Sequence, residues 1–562
     1  MKQLIFINYF CFMLLFISRA QDVAGIGTLT ALGKLHVKGT NDTAQLVIQA
    51  FTPQSPQQSL LRFIRSNGDS LLSLHSFSDN IWMGKYIGTI STRGYKNIYL
   101  GKYIDLTNGN TPYQNIFIGD FAGESVGNGH DNIGIGNDVF KQQTNPINMV
   151  CIGSQAANIL VPNANENTAI GYKALHSDFG AGADNTAIGA NTMLFTVGAN
   201  QSVAIGNFAL YGYTGVGANS ATLNTAIGVA SLYTTKTGSY NTGVGSNVLG
   251  RNYSGQYNSA LGYKAFYSTN MDNTSNENVA VGYQSLNIAS AGTNTAIGME
   301  ALYSSSGGNK NVAIGMRSLY INGTGYENVA VGYQALFSTS NSIDNTAVGS
   351  QSGDTYNNGV NNVFIGALTD VAGADMYNAI AIGQGTVAPA PSYARFGNSS
   401  TTSYGGWANW TNVSDGRFKT NVQENVPGLL FIMKLRPVTY HLQAKALDDH
   451  QHEGLDKHIT EEAKAVMNKA LAEKEKITYS GFIAQEVETS AKSLGFDFSG
   501  VDAPTSSKDV YGLRYEEFVV PLVRAVKEQQ QMLDTDDNRI TSLQQQLEAL
   551  KARLRNKAMH NK

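Results

Sequence analysis

A short apolar motif ending in glycine recurs through the middle of the chain, separated by polar stretches. Typical copies are NIYLG (97–101), NTAIG (167–171) and NVAVG (278–282). Eighteen copies end at glycines from Gly84 to Gly383, most often 17 residues apart, and fifteen of them begin with asparagine. A fixed period of this length is the signature of a repeat architecture, because each unit must stack on its neighbours to bury its apolar side.

Each repeat contains a second apolar piece after the glycine, as in GMEAL (298–302) and GYQAL (332–336). The two pieces are too short for helices, so they predict two strands per turn of a β-solenoid over residues 80–385. We expect the aliphatic residue before the glycine to point inward, the glycine to form a corner and the asparagine to bond adjacent turns. The predicted fold class is therefore mainly β.

A second periodic pattern begins at Val519, where every third or fourth residue is apolar in a strict heptad. Gln529 and Asp536 are polar positions within it. The pattern predicts a parallel coiled coil over residues 519–556, and it leaves open whether two or three chains associate. The alternative is an amphipathic helix packed on its own domain. The heptad positions are Val519, Leu522, Val526, Gln529, Leu533, Asp536, Ile540, Leu543, Leu547, Leu550 and Leu554.

Charge is distributed unevenly along the chain and marks a domain boundary. Residues 414–562 contain 43 of the 81 Asp, Glu, Lys and Arg residues. We therefore expect a linker over 386–413 between the uncharged repeats and a charged C-terminal domain. The net charge is only −3, and no basic stripe or nucleic-acid motif is present, so a nucleic-acid partner is not expected.

The N-terminus reads MKQLIFINYFCFMLLFISRAQ and predicts a secretory signal peptide over residues 1–20. A transmembrane anchor is the alternative, but the apolar run is short and Asn8 interrupts it. The chain after residue 20 is expected to be secreted or displayed at the cell surface, without a membrane span. Residues 21–79 alternate in polarity and predict a β-rich cap or attachment module. Cys151 stands where many repeats have alanine, which predicts a small buried side chain.

Four segments define the C-terminal domain: SDGRFKTNV (414–422), LRPVTYHL (435–442), SGFIAQEVE (480–488) and YEEFVVPLVRAVKEQQ (515–530). Their order resembles the intramolecular chaperone domain of bacteriophage endosialidases and other tail spikes. The repeats resemble the head repeats of trimeric autotransporter adhesins, which build left-handed parallel β-rolls in trimers. The resemblances imply a homotrimeric fibre, with a chaperone domain of α+β fold over 414–518.

The resemblance to the chaperone family also implies self-cleavage at the Val413–Ser414 bond. Ser414 would be the nucleophile and Lys419 the general base, with Asp415 and Arg417 holding the loop in shape. A serine hydroxyl needs a neighbour to take its proton, and an amine can do so only when neutral, which burial favours. Phe418 departs from the leucine that is commoner in the family. We expect this single-turnover peptidase step and no other enzymatic activity.

Other candidate sites carry weaker signals. His450, His452 and His458 lie in a charged segment, residues 443–478, which we interpret as a solvated helical insertion rather than a metal site. We expect no metal and no cofactor. Tyrosines follow several repeat glycines, and we favour a regular surface position over a stripe that binds a surface glycan or another host ligand. These tyrosines are Tyr172, Tyr263, Tyr283 and Tyr333.

Three functions remain open on the sequence alone. The first is a secreted or surface-exposed, adhesin-like trimeric fibre matured by its own chaperone domain. The second is a phage-derived tail fibre or spike that binds or cuts a host glycan, which the signal peptide disfavours. The third is a fibre whose serine and lysine are inactive, so that the domain remains as a permanent trimerisation clamp.

Overall fold

The computed structural model describes residues 79–560, with gaps at 86–93, 105–109, 143, 159–163, 177–181, 197, 214–219, 269–273, 290–291, 355–357, 454–458 and 506–508. Before residue 79 it describes residues 24–26, 35–37, 61–64 and 70–77. The predicted signal peptide therefore lies outside the described residues. The chain forms two compact units, Met1–Ala181 and Gly182–Lys562.

The first unit begins with four strands that belong to the predicted N-terminal module. Two of them form a parallel pair, and the other two form an antiparallel pair that continues into the first solenoid strand. From that strand onward each strand pairs in parallel with the next one. The strands are β1 (Ala24–Ile26), β2 (Leu35–Val37), β3 (Leu61–Ile64), β4 (Ser70–Phe77), β5 (Asn80–Lys85), β6 (Ile98–Lys102), β7 (Ile116–Ile118), β8 (Ile133–Ile135), β9 (Val150–Ile152) and β10 (Thr168–Ile170).

The second unit continues the repeats as a parallel β-solenoid, which confirms the predicted fold class. Its last strand lies at Ala394–Phe396, so the solenoid extends into the segment expected to be a linker. The strands are β11 (Thr186–Ile188), β12 (Val203–Ile205), β13 (Thr225–Ile227), β14 (Thr242–Val244), β15 (Ser259–Leu261), β16 (Val279–Val281), β17 (Ile288–Ala289), β18 (Thr295–Ile297), β19 (Ser304–Ser305), β20 (Val312–Ile314), β21 (Ile321–Gly323), β22 (Val329–Val331), β23 (Thr346–Val348), β24 (Val363–Ile365), β25 (Asp370–Val371), β26 (Ile380–Ile382), β27 (Val387–Ala388) and β28 (Ala394–Phe396).

The middle residue of each repeat strand points into the solenoid core. Ala296 and Ala313 are fully buried and lie in register on neighbouring turns. The aliphatic residue before the glycine lies on the opposite face, because successive side chains of a strand alternate; Ile297 is 38% exposed. The prediction that this aliphatic residue forms the inward ladder is therefore wrong. A three-residue strand turns only its middle position toward the thin core.

The inward-facing residues of the first solenoid strands are larger than the alanine found in later strands. Trp82, Tyr99 and Phe117 occupy the inward position of successive strands and are buried. Cys151 takes this position two turns later and is fully buried, as predicted. Burial raises the pKa of its thiol, since the charged thiolate would lose its hydration.

The second apolar piece of most repeats is a turn rather than a strand. Leu302 is fully buried, yet its φ is +49°, and Glu300 two residues earlier has a φ of +55°. This left-handed backbone reverses the chain within a few residues while keeping Ala301 and Leu302 in the core. Among the described residues, the expected second strand forms in two short sheets, β17–β19–β21 and β25–β27.

The repeat glycine forms the corner of each turn, as predicted. Gly315 has a φ of +127°, and a Cβ placed there would lie 2.4 Å from the carbonyl oxygen of Gly332 on the next turn. An L-residue would therefore meet both backbone strain and a collision with backbone that cannot move aside.

The C-terminal region of the second unit is mixed α and β and ends in a long helix, as predicted. Strand β29 pairs antiparallel with β30, and β31 with β32. Among the described helices, none is both long and apolar enough to cross a membrane. The elements are 3₁₀ turns at Gly416–Phe418 and Tyr515–Phe518, helices α1 (Leu429–Ile432), α2 (Ala444–His452), α3 (Glu461–Glu475), α4 (Ala484–Lys492) and α5 (Val519–His560), and strands β29 (Val438–His441), β30 (Thr478–Gly481), β31 (Val501–Asp502) and β32 (Gly512–Leu513).

A small aromatic core holds the C-terminal region together. Phe431 of α1 is fully buried and meets the ring of Phe498 at a centroid distance of 5.1 Å. Phe518, just before α5, packs edge-on against Phe498. Val487 and Ala491 of α4 close the cluster. The base of the long helix is thereby anchored in the domain.

Candidate functional site

A single 3₁₀ turn places Ser414 beside Lys419. Asp415 begins the turn, since its side chain accepts a hydrogen bond from the backbone N–H of Arg417 at 2.9 Å. Lys419 follows directly after Phe418, the last residue of the turn, and its backbone N–H donates to Gly416 O at 3.2 Å. This reversal brings the two flanking side chains together, and Lys419 Nζ donates to Ser414 Oγ at 2.7 Å.

A charged pair braces the same turn. Arg417 donates from Nε to both carboxylate oxygens of Asp415, at 3.1 and 2.9 Å. The hydrogen bonds from the Arg417 guanidinium, and then from its backbone N–H, hold the pKa of Asp415 below its usual value. The side chains predicted to support the loop therefore bind each other and the backbone of the turn. This fork favours the geometry that keeps Ser414 and Lys419 adjacent.

The surroundings of this pair are open in the single chain. Ser414 and Lys419 are both exposed, and Val413, on the acyl side of the predicted cleavage bond, is 93% exposed. Phe418 is 79% exposed and Val422 80%. Water therefore surrounds the lysine amine, and several apolar side chains next to it lack cover. The arrangement has the contact needed for proton transfer without the burial that favours a neutral amine.

Two motif segments that are far apart in the sequence lie side by side in the domain. The segment 435–442 supplies β29, and 480–488 supplies the end of β30 and the start of α4. Arg436 of the first donates from Nε to Glu486 of the second at 3.1 Å, and its second guanidinium nitrogen bonds the other carboxylate oxygen. The insertion between these segments leaves their pairing intact.

The fourth motif segment joins the long helix to the domain. Glu528 of α5 accepts a hydrogen bond from the backbone N–H of Leu429 at 2.7 Å, which satisfies an end of α1. Pro521 and Ala525 are buried. From Gln529 to His560, in contrast, every side chain of the helix is exposed. Beyond its first turns the helix therefore packs on nothing in the part of its own chain that the structure describes.

The charged insertion is only partly solvated, which corrects the prediction for residues 443–478. Asp448 of α2 is buried and accepts a hydrogen bond from Ser399, which follows the last solenoid strand. His452 reaches Gly385 O with Nε2 at 2.9 Å. These contacts escaped the sequence reasoning because nothing in the local pattern of α2 indicates what it faces. The alternation of exposed and buried positions in so short a helix is too weak a signal.

The remaining candidates show no assembled site. Within the described ranges, no cluster of three or more His, Cys, Asp and Glu residues is arranged to hold a metal; His458 lies outside them. The four tyrosines after repeat glycines are between 36% and 49% exposed. Tyr263 and Tyr283 stack at a centroid distance of 5.6 Å, as regularly spaced side chains on neighbouring turns do. A glycan ligand stays a prediction.

Comparison with known proteins identifies the C-terminal region. Residues 414–496 match the family model described as chaperone of endosialidase. No curated protein matches the chain. The match begins at Ser414 and contains the Ser414–Lys419 contact as well as the Arg436–Glu486 pair. A parallel β-solenoid followed by such a domain fits a tail-fibre-like protein, and residues 414–496 of this chain are similar to the intramolecular chaperone domain of endosialidases.

Proposed function

We propose that this protein is a secreted or surface-exposed homotrimeric fibre whose C-terminal chaperone domain drives assembly and then releases itself. Release occurs by hydrolysis of the Val413–Ser414 bond. The observation that carries the cleavage step is the 2.7 Å contact between Lys419 Nζ and Ser414 Oγ, at the residue where the family match begins.

The chemistry requires this contact to work in the opposite direction, with a neutral Lys419 amine accepting the Ser414 hydroxyl proton. Ser414 Oγ then bonds to the carbonyl carbon of Val413, and the Val413–Ser414 C–N bond breaks. The freed amino group of Ser414 takes the proton from Lys419. Water next hydrolyses the Val413 ester, which yields a Val413 carboxylate and restores the serine hydroxyl. No metal or cofactor is needed for these steps.

Two apolar surfaces support self-association. The heptad residues of α5 are exposed, for example Leu543 at 54% and Leu547 at 50%. On the solenoid of the second unit, the aliphatic residues before the glycines form an in-register row in which Ile314 is 38% and Val348 39% exposed. Exposed apolar rows of this kind mark interfaces. Copies of the same chain supply matching surfaces with the same period, and the implied trimer would cover both.

Export is supported by the N-terminal residues 1–20 and is tested separately. We expect the secreted protein to begin at Gln21. N-terminal sequencing of material recovered from the culture medium or the cell surface checks this expectation. Protein that stays in the cytoplasm with Met1 retained would contradict it.

The cleavage is tested by expressing residues 21–562 and measuring the products by denaturing gel and intact mass. We expect one fragment ending at Val413 and one beginning at Ser414. Ser414→Ala should abolish the cut because it removes the nucleophile, and Lys419→Arg should do so because a guanidinium stays protonated. Thr420→Ala, a neighbouring exposed hydroxyl, is the matched control and should cleave like the parent chain.

The outcomes separate the alternatives. A wild-type chain that assembles into trimers and stays full length would show a permanent clamp with an inactive serine and lysine. Cleavage that persists in Ser414→Ala would place the nucleophile elsewhere. Light scattering of the uncut and cut proteins measures the oligomer, and a monomer mass for both would refute the homotrimer.

A further inference from the structure

The helical insertion of the chaperone domain binds the end of the solenoid. Its two helices, α2 and α3, are joined by a hydrogen bond from the Lys445 backbone N–H to Glu475 at 2.9 Å. From α3, Lys474 Nζ donates to Thr401 O at 2.6 Å, on the segment that follows the last solenoid strand. From α2, Asp448 and His452 reach Ser399 and Gly385. These contacts connect residues on opposite sides of the Val413–Ser414 bond.

His452 has an oxygen acceptor at each ring nitrogen. Its Nε2 lies 2.9 Å from Gly385 O, and its Nδ1 lies 2.9 Å from Asp448 O. The Asp448 carboxylate is 3.3 Å from the same Nδ1. A neutral imidazole carries one N–H, so one of its nitrogens would present a lone pair to an oxygen. Only the imidazolium, with two N–H groups, satisfies both sides.

We propose that the α2–α3 hairpin is a latch that holds the chaperone domain on the end of the solenoid after the chain is cut, and that the latch opens when His452 loses its proton. This proposal rests on the proposed release of the domain. It adds that peptide-bond cleavage and physical release are separate steps, the second controlled by the charge of one histidine.

The contacts that hold the insertion on the solenoid end are hydrogen bonds from a few side chains, as a releasable contact requires. Beside them lies an open cavity of about 1210 Å³, lined from the solenoid side by residues such as Arg395 and from the domain side by Leu447 and Lys474. The two helices therefore leave an open gap beside the solenoid rather than a sealed interface. Loss of a few hydrogen bonds is a large fraction of what such a contact supplies.

The charges of His452 and Asp448 follow from their surroundings. Burial disfavours the positive charge of His452, but its hydrogen bonds to Asp448 and to Gly385 O outweigh burial, so its pKa is raised. Burial likewise disfavours the Asp448 carboxylate, but the bonds from His452 and Ser399 prevail and its pKa is lowered. The other charged groups nearby are Lys445 on α2, which acts on Asp448, and Lys474 on α3. The solenoid-side atoms that meet Asp448 and His452 are an uncharged hydroxyl and an uncharged carbonyl, and the charged Arg395 lines the cavity beside them.

The direction of the pH effect follows from the raised pKa of His452. Once the latch opens, the histidine returns to its ordinary pKa of about 6.5. Its contribution is therefore complete below that pH and is lost as the pH rises through the raised value. Asp448, with a lowered pKa, stays charged across this range. The latch should hold under mildly acidic conditions and open toward alkaline pH.

The test uses the full chain carrying Ser414→Ala, with the recognition sequence of a site-specific protease inserted between Gly405 and Gly406 in the exposed segment before the site. After the cut, size-exclusion chromatography follows the fraction of C-terminal domain that stays with the solenoid between pH 5.5 and 8.5. We expect release about tenfold faster at pH 8.5 than at pH 6, the order of effect that losing one hydrogen bond of a charged group has on an equilibrium.

Variants assign the effect to His452. His452→Gln should remove the pH dependence, and Ser399→Ala should speed release about tenfold at every pH while keeping that dependence. His450→Gln changes an exposed histidine on the same helix and is the matched control. Lys474→Arg tests whether the Lys474 amine contributes to the pH dependence. A domain that leaves at once at every pH, a release rate that ignores pH, or an unchanged profile in His452→Gln would overturn the latch. Because the added protease makes the cut, these results do not depend on cleavage by Ser414.

Discussion

At the scale of single residues, asparagine side chains join successive turns of the solenoid. Asn328 is fully buried and donates from Nδ2 to Asn311 Oδ1 at 3.1 Å and to Ser342 O at 2.7 Å. Its Oδ1 accepts from the backbone N–H and from Nδ2 of Asn345, at 3.1 and 3.0 Å. The side chain thus satisfies donors on the next turn and acceptors on the previous and the next turn. A methyl group in its place would leave these buried groups without partners.

We therefore predict that Asn328→Ala destabilises the solenoid by about 2–4 kcal/mol, the cost of leaving one or two buried polar groups unsatisfied. Urea unfolding followed by far-ultraviolet circular dichroism measures the change. Asn309→Ala is the matched control, since Asn309 is an exposed asparagine in the same solenoid. Equal effects of the two substitutions would contradict the structural role of the asparagine ladder.

The contact between Ser414 and Lys419 does not by itself provide every condition that cleavage needs. The one-turn spacing brings their side chains into contact, and the fork between Asp415 and Arg417 braces that turn. The family resemblance implies this pairing, and the turn at Gly416–Phe418 is the local structure that brings the two side chains together. Exposure of both side chains, however, is a property of everything around them, which no short motif encodes.

At the scale of elements, α5 extends far beyond the domain that anchors it. Its first turns are packed through Pro521 and Ala525, whereas the heptad positions are exposed along the whole helix. An isolated helix gains little from its own backbone, so an exposed apolar row along it needs partners. The alternative that the helix packs on its own domain holds only for the first turns. The coiled coil is the arrangement that would cover the remainder.

We predict that Leu547→Asp, at a core position of the heptad, breaks the trimer by placing a carboxylate in its apolar seam, at a cost of about 3–5 kcal/mol per buried unpaired charge. Multi-angle light scattering should show a lower mass at the same protein concentration. Gln545→Asp, on the outer side of the same heptad, should leave the mass unchanged. An unaltered trimer in Leu547→Asp would remove the coiled coil as the cause of association.

At the scale of the whole molecule, assembly and cleavage are expected to be coupled. The single chain leaves Ser414 and Lys419 in water and leaves Phe418 and Val422 without cover. A neutral lysine amine needs a desolvated surrounding, and partner copies are the available source of it in the proposed trimer. The chain would then cut itself only after the fibre has formed.

This coupling predicts that cleavage depends on chain concentration. When denatured protein that keeps Lys419 is refolded, the cleaved fraction at a fixed time should rise with protein concentration. Leu547→Asp should slow cleavage at least tenfold. Denaturing gels measure the fraction, and emission from the exposed Trp407 and Trp410 reports association independently. Cleavage at the same rate in a proven monomer would show that the site is complete within one chain.

The sequence by itself determined the elements whose signal is local and repeated. The solenoid follows from eighteen spaced copies of one motif, its corners from glycine and its ladder from asparagine, because each repeat meets the same neighbours one period away. The long helix follows from the heptad pattern, and the pairing of Ser414 with Lys419 is implied by the family resemblance.

Only the tertiary structure decided which side of each strand faces the core and what the insertion binds. Ala296 rather than Ile297 points inward because only the middle residue of a three-residue strand faces the core, whereas hydrophobicity alone favours the larger residue. His452 meets Gly385 only because the fold returns α2 to the end of the solenoid. Contacts of this kind depend on distant segments meeting in space, which local periodicity does not encode.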